Sequence, residues 1–560
     1  MGESRKWIWV AVVCIVAFFV NNAVILPDIM ESRNIVTARE MVYDGHWVVT
    51  TMNGELRLEK PPLPTWMAAV VEMVSPNDIS AQRVVSGLGA LLLVFYFCLF
   101  AKRILQTDIL LPVLLLCTCY NVILMGRTAT WDIWCHAFMM AGIYYLARGL
   151  QREGPAWREF VLMGIFTGLS IMSKGPVSLY ALLLPFLISF ALLARPSARD
   201  KAAPIVMAVV LALLIGGWWY AYIYAFHADD MARVAAKESG SWFNHNTRPW
   251  WYYWKFFLET GGWSLLLLTA IVQPLWNNQS VYRQRLTYLQ PLLWMVVMLV
   301  LLSLLPEKKS RYLLPMLIPA SLTMAALVNG WETCLRKGTA RKADRVLIRL
   351  NGGLLALVVA ALPVVAYAML YRSGMVGLTA LVFMAVVSWG IAAWLVVSCV
   401  RLRPKRMVYA IAVLFAVAEC AVLPSLSGII NNPDRHSIAA TREVDALKPL
   451  DFYYDASTEL RIELVYATGK KIRPLDLTQP DSVLPKLPCA VMTLQRVGEV
   501  MPSELLEAMD TVYVDYYDDN SVGKGRKRYR PHLFNHHVTI LKPRAEVAQT
   551  AEEGHQPDGE

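Results

Sequence analysis

Charged residues are scarce in this chain. Only 17% of its 560 residues are Asp, Glu, Lys or Arg, whereas a soluble domain usually carries about 25%. The deficit is concentrated in long apolar runs, and 56% of all residues are hydrophobic. This pattern excludes an ordinary soluble protein. The formal net charge of +10 does not indicate nucleic-acid binding, because no basic helix or aromatic platform accompanies it.

Cysteine patterns that would indicate a metal site or a disulfide framework are also missing. Most of the nine cysteines lie in apolar runs, where Cys behaves as a small hydrophobe. There is no CxxC pair and no Cys/His cluster of the kind that binds zinc. The polar C-terminal region has only Cys489, so it cannot form an internal disulfide. No internal repeat is evident, which disfavours a transporter built from inverted repeats.

What the sequence does contain is about thirteen apolar runs of membrane-spanning length. The first follows Arg5 and Lys6 and has no small-residue cleavage site after it, so we interpret it as an uncleaved first helix with a cytoplasmic N-terminus. The runs are 7–26, 84–102, 108–126, 131–149, 157–173, 176–195, 203–226, 262–277, 287–305, 311–330, 348–371, 376–400 and 407–425.

A shorter apolar piece, 63–75, decides the orientation of everything after it. If it does not span, the most basic loops of the chain are all cytoplasmic, as the positive-inside rule requires. We therefore predict that it lies along the outer surface and that the C-terminal region lies outside the cytoplasm. The loops in question are 102–103, 148–158, 195–201, 283–285, 336–349 and 401–406.

Ionisable residues nevertheless gather in the loops predicted to face outward. Such groups near a membrane are costly and suggest function, although each by itself can be a solvated interface charge. Lys and Arg can hold a phosphate as charge-assisted donors, and a carboxylate can act as a base or bind a divalent metal. Together they suit an anionic, phosphate-linked substrate. They include Glu31, Arg33, Arg39, Arg57, Glu59, Lys60, Arg127, Asp132, Lys174, Glu307, Lys308, Lys309 and Arg311.

The first outer loop carries a long motif that indicates a family. It reads Glu-Ser-Arg-Asn-Ile-Val-Thr-Ala-Arg-Glu-Met over 31–41, then Asp-Gly-His-Trp over 44–47, then Leu-Glu-Lys-Pro-Pro-Leu over 58–63. It resembles the bacterial aminoarabinose transferases of lipid A, which are related to protein O-mannosyltransferases. The similarity continues through Arg127-Thr-Ala-Thr-Trp-Asp132, Ser173-Lys174-Gly175-Pro176 and Arg311-Tyr312-Leu-Leu-Pro315.

The resemblance implies an α-helical polytopic enzyme of the GT-C type whose active site lies at the outer face. Members take a sugar from undecaprenyl phosphate and need no nucleotide sugar. It implies a divalent metal ion (zinc, magnesium or manganese) at Glu59 and at His245, which is one residue out of register with the family. We expect the donor phosphate to be held by Lys60, Arg57, Lys308, Arg311 and Tyr312.

The sequence departs from the family at one acidic position. The first Asp of the family's Asp-Glu pair corresponds to Met30, which leaves Glu31, with Asp28 close before it. Either carboxylate can replace the lost one, and we favour Glu31 because it keeps its place relative to Arg33. We expect Glu31 and Asp132, with Asp28 as the alternative, to orient or activate the acceptor.

The predicted organisation has three parts. Residues 1–427 form a transmembrane glycosyltransferase domain that includes an outer-face loop, 28–80. Residues 428–545 form a small extracytoplasmic α/β domain, and 546–560 is a polar, disordered tail. Within the small domain, β-branched and aromatic enrichment predicts strands at 451–454, 490–494 and 511–514, and a helix at 503–509.

The predicted function is glycosyl transfer from a polyprenyl phosphate donor to lipid A or a related glycan, at the outer face of the inner membrane. A protein acceptor is an alternative within the same enzyme class. A transporter or flippase of lipid-linked sugars is the rival from another class, and it should place ionisable groups near the bilayer midplane. A non-enzymatic sensor that uses the C-terminal domain is a third reading.

Overall fold

The computed structural model describes residues 2–244 and 246–544. Every predicted apolar run contains a helix. The helices of the membrane region are α1 Glu3–Phe18, α2 Ile29–Tyr43, α3 Leu63–Val74, α4 Ile79–Arg103, α5 Leu110–Cys117, α6 Tyr120–Arg127, α7 Asp132–Gln151, α8 Trp157–Lys174, α9 Leu184–Ala194, α10 Ala202–Phe226, α11 Ala228–Asn244, α12 Ser264–Trp276, α13 Gln290–Leu304, α14 Leu317–Arg336, α15 Lys342–Ala366, α16 Leu378–Val400 and α17 Pro404–Val417. Short π- or 3-10-helical segments extend several of them, at Leu179–Leu183, Trp250–Trp263, Arg285–Leu289, Ser310–Met316, Tyr367–Tyr371 and Ala418–Val422.

The polytopic α-helical class is confirmed, with a smaller count of long spans. Among the described residues, eight helices are long and apolar enough to cross a membrane, and nine if α5 and α6 form one broken span. These two helices meet at 76°, so the run 108–126 is not one straight helix. The other predicted runs are helical but shorter or more polar.

Helix α3, within the piece predicted to lie along the surface, has only 12 residues. At 1.5 Å per residue it is about 18 Å long, too short for a hydrocarbon core of about 30 Å. It packs against α2. Its length agrees with a helix that does not span.

Contacts between loops place them on two opposite faces. On one face, Lys102 pairs with Glu3, and Lys201 Nζ caps the end of α7 by donating to the Gly149 carbonyl at 2.8 Å. At the other ends of α7 and α8, Asp132 meets Lys174. The loops predicted to share a side thus lie together, and which side faces outward stays a prediction.

The C-terminal region forms one mixed five-stranded sheet in the order β4-β3-β5-β7-β6. Strand β3 is parallel to β4 and β5, and β7 is antiparallel to β5 and β6. Two separate apolar cores form in this domain. The strands are β3 Asp451–Asp455, β4 Ile472–Leu475, β5 Cys489–Thr493, β6 Met509–Asp518 and β7 Asn535–Pro543, while β1 Thr51–Met52 and β2 Glu55–Leu56 form a small hairpin in the loop after α2.

The strands predicted near 451, 490 and 511 are confirmed as β3, β5 and β6, and the predicted helix is present as Ser503–Glu507. Two strands were missed. Strand β4 contains Pro474, which argues against a strand interior and is tolerated because β4 is an edge strand. Strand β7 begins with Asn-His-His, and these polar residues obscure the alternation of apolar and polar residues later in the strand.

The C-terminal domain docks directly on the loop 28–80. Arg39 of α2 donates to the carbonyls of Val465 and Tyr466, both at 3.2 Å. Asn53 exchanges two hydrogen bonds of 2.8 Å with the backbone of Ile472. Val36 of α2 is part of one core of the domain. The domain therefore buttresses the loop that carries the family motif.

Candidate active site

Helix α2 begins in a buried ion pair. Asp28 caps the helix by accepting hydrogen bonds from the backbone N–H groups of Met30 and Glu31, and the Glu31 side chain bonds back to Asp28 N–H in a capping box. Both carboxylate oxygens of Glu31 also bond to Arg83 at 2.8 Å, and one accepts from Ala129 N–H at 2.8 Å. The side chains of Asp28 and Glu31 therefore both have structural roles. Acceptor activation by Glu31 would require breaking its buried, bidentate ion pair with Arg83.

Asp132 is arranged differently. It is the first residue of α7 and only 4% exposed, and it forms an ion pair with Lys174, the last residue of α8. A carboxylate at a helix N-terminus is stabilised by the helix dipole. Gly175 ends α8 with φ of +74°, and a Cβ there would lie 2.8 Å from the Tyr220 hydroxyl. The Lys-Gly turn therefore needs glycine in order to bring Lys174 to Asp132.

Lys60 belongs to the same charge cluster. Burial, together with the nearby cations Lys174, Arg57 and Arg311, lowers the pKa of Lys60 to about 7, while Asp132 acts in the opposite direction. Proline follows at positions 61 and 62, which restricts the backbone there. A lysine whose pKa is lowered by burial and by neighbouring cations marks a place where a bound anion would be stabilised.

The segment 307–312 contacts the cluster that contains Asp132, Lys174 and Lys60. The Tyr312 ring centroid lies 5.6 Å from Lys174 Nζ and 5.8 Å from Lys309 Nζ. The Tyr312 hydroxyl donates to Glu307 at 3.3 Å, and Glu307 pairs with Lys309. The motif that begins at Arg311 is thus joined to the Asp132–Lys174 pair, as its position in the family pattern suggested.

Two of the predicted phosphate ligands are turned to other partners. Arg57 donates to the Arg33 carbonyl at 2.6 Å, to the Thr37 hydroxyl at 2.7 Å and to the Asn34 side chain at 3.0 Å, which ties the loop to α2. Lys308 is buried and its Nζ donates to the Leu305 carbonyl. The structure gathers Lys60, Arg311 and Tyr312; Arg57 lies near Lys60 as well, but its guanidinium is occupied by α2, and Lys308 is occupied by Leu305.

Glu59 offers a carboxylate oxygen to a ligand. Its Oε1 lies 4.0 Å from Lys237 Nζ, and its Oε2 is buried with no hydrogen-bond partner among the described residues. The second predicted metal ligand, His245, lies outside the described residues. Another group, Glu40, Asp44 and His46, has ligand atoms within 4.8 Å of one another.

That second group is already engaged in protein contacts. Glu40 accepts from the Thr51 hydroxyl at 2.5 Å and from Gly54 N–H at 3.2 Å, and Asp44 pairs with Lys471 at 2.8 Å. These contacts compete with a metal ion for the same oxygens. Of the two candidate metal positions, Glu59 is the one whose carboxylate oxygen lacks a hydrogen-bond partner among the described residues.

Sequence reasoning passed over Arg83 and also Glu419, which is the partner of Arg127. Both groups lie around the outer-loop end of α1: Arg83 donates to the Asn22 carbonyl at 2.5 Å, and Arg127 donates to the Val20 carbonyl. The sequence signal that could have identified them is a single charged residue just inside an apolar segment. Such a charge requires a partner.

Comparison with known proteins agrees with this geometry. The sequence model of the dolichyl-phosphate-mannose-protein mannosyltransferases matches residues 59–220, which include Lys60, Asp132 and Lys174. An undecaprenyl phosphate-alpha-4-amino-4-deoxy-L-arabinose arabinosyl transferase of Pseudomonas fluorescens is 27% identical over 75% of this chain and 73% of its own length. Its counterpart in Aeromonas salmonicida is 30% identical over 60% of this chain and 61% of its own.

A solved structure, ArnT from Cupriavidus metallidurans bound to undecaprenyl phosphate, aligns with 96% of this chain and 98% of its own. The TM-score is 0.69 at 17% identity. The chain is similar to the aminoarabinose transferases and has their GT-C fold. The resemblance carried by the outer-loop motif is therefore confirmed, and the shared fold extends over the membrane region and the C-terminal domain.

Proposed function

We propose that this protein is a glycosyltransferase that moves a sugar from a polyprenyl phosphate donor to an acceptor at the outer face of the bacterial inner membrane. The observation that carries the proposal is the cation cluster of Lys60, Lys174 and Arg311 around Asp132, built from four separate segments at one face. Relatives named as undecaprenyl phosphate-linked arabinosyl transferases, and a related structure that holds undecaprenyl phosphate, support it.

In the reaction, an acceptor oxygen forms a bond to the anomeric carbon of the sugar while the bond from that carbon to the phosphate oxygen breaks. A hydroxyl acceptor also gives up its proton, to the leaving phosphate or to solvent, whereas a phosphate acceptor has none to lose. The leaving polyprenyl phosphate carries away the electron pair as negative charge. Lys60, Lys174 and Arg311 stabilise that charge by preorganised electrostatics, which matters most where water is excluded. Asp132 holds Lys174 in position and, in this proposal, orients or activates the acceptor.

A divalent metal ion fits one position. The buried Oε2 of Glu59 has no partner among the described residues, so Glu59 would be a ligand, next in sequence to Lys60. The ion would supply additional positive charge for the leaving phosphate. Among the described residues, the group of Glu40, Asp44 and His46 would be the alternative holder, at the cost of its present contacts.

The acceptor and the orientation complete the proposal. Lipid A or a related glycan fits the family, and a protein acceptor would use the same donor chemistry. The N-terminus lies in the cytoplasm and the C-terminal domain in the periplasm, since this arrangement leaves the most basic loops inside.

A transporter of lipid-linked sugars is the competing function, and the placement of charge disfavours it. A transporter binds substrate near the bilayer midplane. Here most charged residues of the spanning helices lie near helix ends, as Arg83 does at the start of α4 and Asp132 at the start of α7; Glu259, within the span Trp250–Trp276, is an exception. Helices α10, α12, α13 and α16 contain no Asp, Glu, Lys or Arg.

The test is transfer by the purified full chain. Incubation with a panel of undecaprenyl phosphate sugars and candidate acceptors, followed by mass spectrometry, should yield one glycosylated acceptor. Glu59→Ala and Lys60→Ala should abolish product while leaving expression and thermal unfolding near normal. Lys448→Met is the matched control, because Lys448 is exposed in the C-terminal domain. Normal transfer in both site variants would remove the proposed site.

A further inference from the structure

A basic surface loop in the C-terminal domain is not explained by the proposed reaction. Between β6 and β7, the sequence Lys524-Gly-Arg526-Lys527-Arg528-Tyr-Arg530 places five cations within seven residues, and all five are exposed. We call this segment, 524–530, the basic loop. None of its cationic side chains forms an ion pair within the part of the chain that the structure describes.

The basic loop has a defined base. Arg530 N–H donates to the Asn520 side chain at 2.7 Å, and the Tyr529 hydroxyl donates to Asp518 at 2.7 Å. Asp518 and Asn520 bond to each other at 2.9 Å, and Asn535 joins them. These contacts hold the loop on the end of β6, so its charges project from a fixed position.

That position is close to the end of the first apolar run. The first apolar run ends at Leu26, and Asn431 forms two hydrogen bonds with this end. Its side chain donates to the Val24 carbonyl at 2.8 Å and accepts from Leu26 N–H at 3.4 Å. The next residue, Asn432, meets Gly523, where an added Cβ would lie 3.6 Å from the Asn432 side-chain oxygen. The basic loop, which starts at the next residue after Gly523, therefore lies close to the end of the first apolar run, where the sequence predicts the membrane boundary.

We infer that the basic loop binds the phosphate-bearing headgroup of an anionic lipid in the leaflet on the C-terminal domain's side. Exposed cations beside a membrane are attracted to anionic lipid, and the effect falls off within a Debye length. Arg forks match phosphate geometry in a bidentate manner. The inference does not depend on the proposed reaction, because the loop lies in another part of the chain from the Lys60 cluster.

The experiment measures the reactivity of Lys524 and Lys527 towards an amine-acylating reagent, read by mass spectrometry, in the full chain. The protein is placed in nanodiscs of phosphatidylcholine alone or of phosphatidylcholine with phosphatidylglycerol. We expect the anionic lipid to slow acylation of both lysines by about fivefold or more, roughly the factor that one cation near an anionic surface is worth. Lys486, exposed elsewhere in the domain, should not change.

Variants test whether the loop itself makes the contact. Arg526→Gln with Arg528→Gln keeps both reporter lysines and should remove most of the protection. The matched control is Arg403→Gln with Arg406→Gln, which removes two exposed arginines from the opposite face and should leave the protection intact. Equal reactivity in the two lipid mixtures, or equal loss in both variants, would overturn the inference.

Two further arms separate other anions from lipid. Residues 545–560 carry five carboxylates, so the tail of the same chain could occupy the loop instead. If the lysines are already protected in neutral nanodiscs and a chain ending at Arg544 exposes them, the tail is the occupant and the inference fails. It also fails if inorganic phosphate in neutral nanodiscs protects them as well as phosphatidylglycerol does.

Discussion

The pKa of Lys60 makes donor binding depend on pH in a defined direction. In the free protein this pKa is lowered to about 7 by burial and by the surrounding cations. A donor phosphodiester stays a monoanion from pH 6 to 9, and its charge favours protonated Lys60. Above pH 7, binding must therefore take up a proton onto Lys60, and donor affinity should fall as the pH rises.

The size of this effect follows from the same number. If the free Lys60 has a pKa of about 7 and stays protonated when the donor is bound, the affinity falls up to about fiftyfold between pH 7 and 9. Below pH 7 both states hold the proton, so the affinity levels off. Lys60→Arg keeps its charge throughout and should lose this slope, even if its different shape weakens binding at every pH.

The assay is calorimetric titration of the detergent-solubilised full chain with an undecaprenyl phosphodiester sugar from pH 6 to 9. Lys448→Met, which removes an exposed lysine remote from the site, should keep the wild-type slope. A flat wild-type profile would refute the argument, as would an identical slope in Lys60→Arg. Either result would mean that Lys60 is not the group whose proton is linked to binding.

Three further predictions concern other parts of the structure. Asp132→Asn keeps the size of the side chain and should lower turnover about a hundredfold or more, as measured by product formation, and a melting curve should show some destabilisation because the buried pair with Lys174 is weakened. Glu31→Gln leaves Arg83 buried with a weakened partner and should destabilise the protein, by up to about 3–5 kcal/mol if the pair is lost entirely. Denaturant unfolding checks this, and unchanged stability would contradict the structural role. Arg39→Ala should loosen the C-terminal domain, seen as faster limited proteolysis between 431 and 450, whereas Arg33→Ala should not.

The membrane class and the general position of the site could be predicted from local sequence. Apolar runs and basic loops report directly on burial in lipid and on sidedness, because each residue contributes independently of distant partners. The motif around Glu59 and Lys60 is contiguous, so it too can be recognised without knowing what it contacts. Only its metal and phosphate roles remain predictions.

The partners of individual charges could not be predicted in this way. Glu31 follows the family pattern, yet its oxygens belong to Arg83, which lies 52 positions later. Arg57 is in the motif, but the carbonyl and side chains of α2 occupy its guanidinium. Such pairings depend on which helices come together in space, and a sequence position carries no information about them.

The tertiary structure also decided which elements support the loop 28–80 and what pKa Lys60 has. Strand β7 completes the sheet through pairs with β5 and β6, and the helix Ile462–Thr468, which packs on that sheet, accepts hydrogen bonds from Arg39 of α2. The pKa of Lys60 is low first because the folded chain buries it, and then because Lys174 and Arg311, distant in sequence, are brought close to it. Apolar periodicity determined that this chain is a helical membrane protein, whereas the convergence of charges from four segments, which only packing produces, created its candidate site.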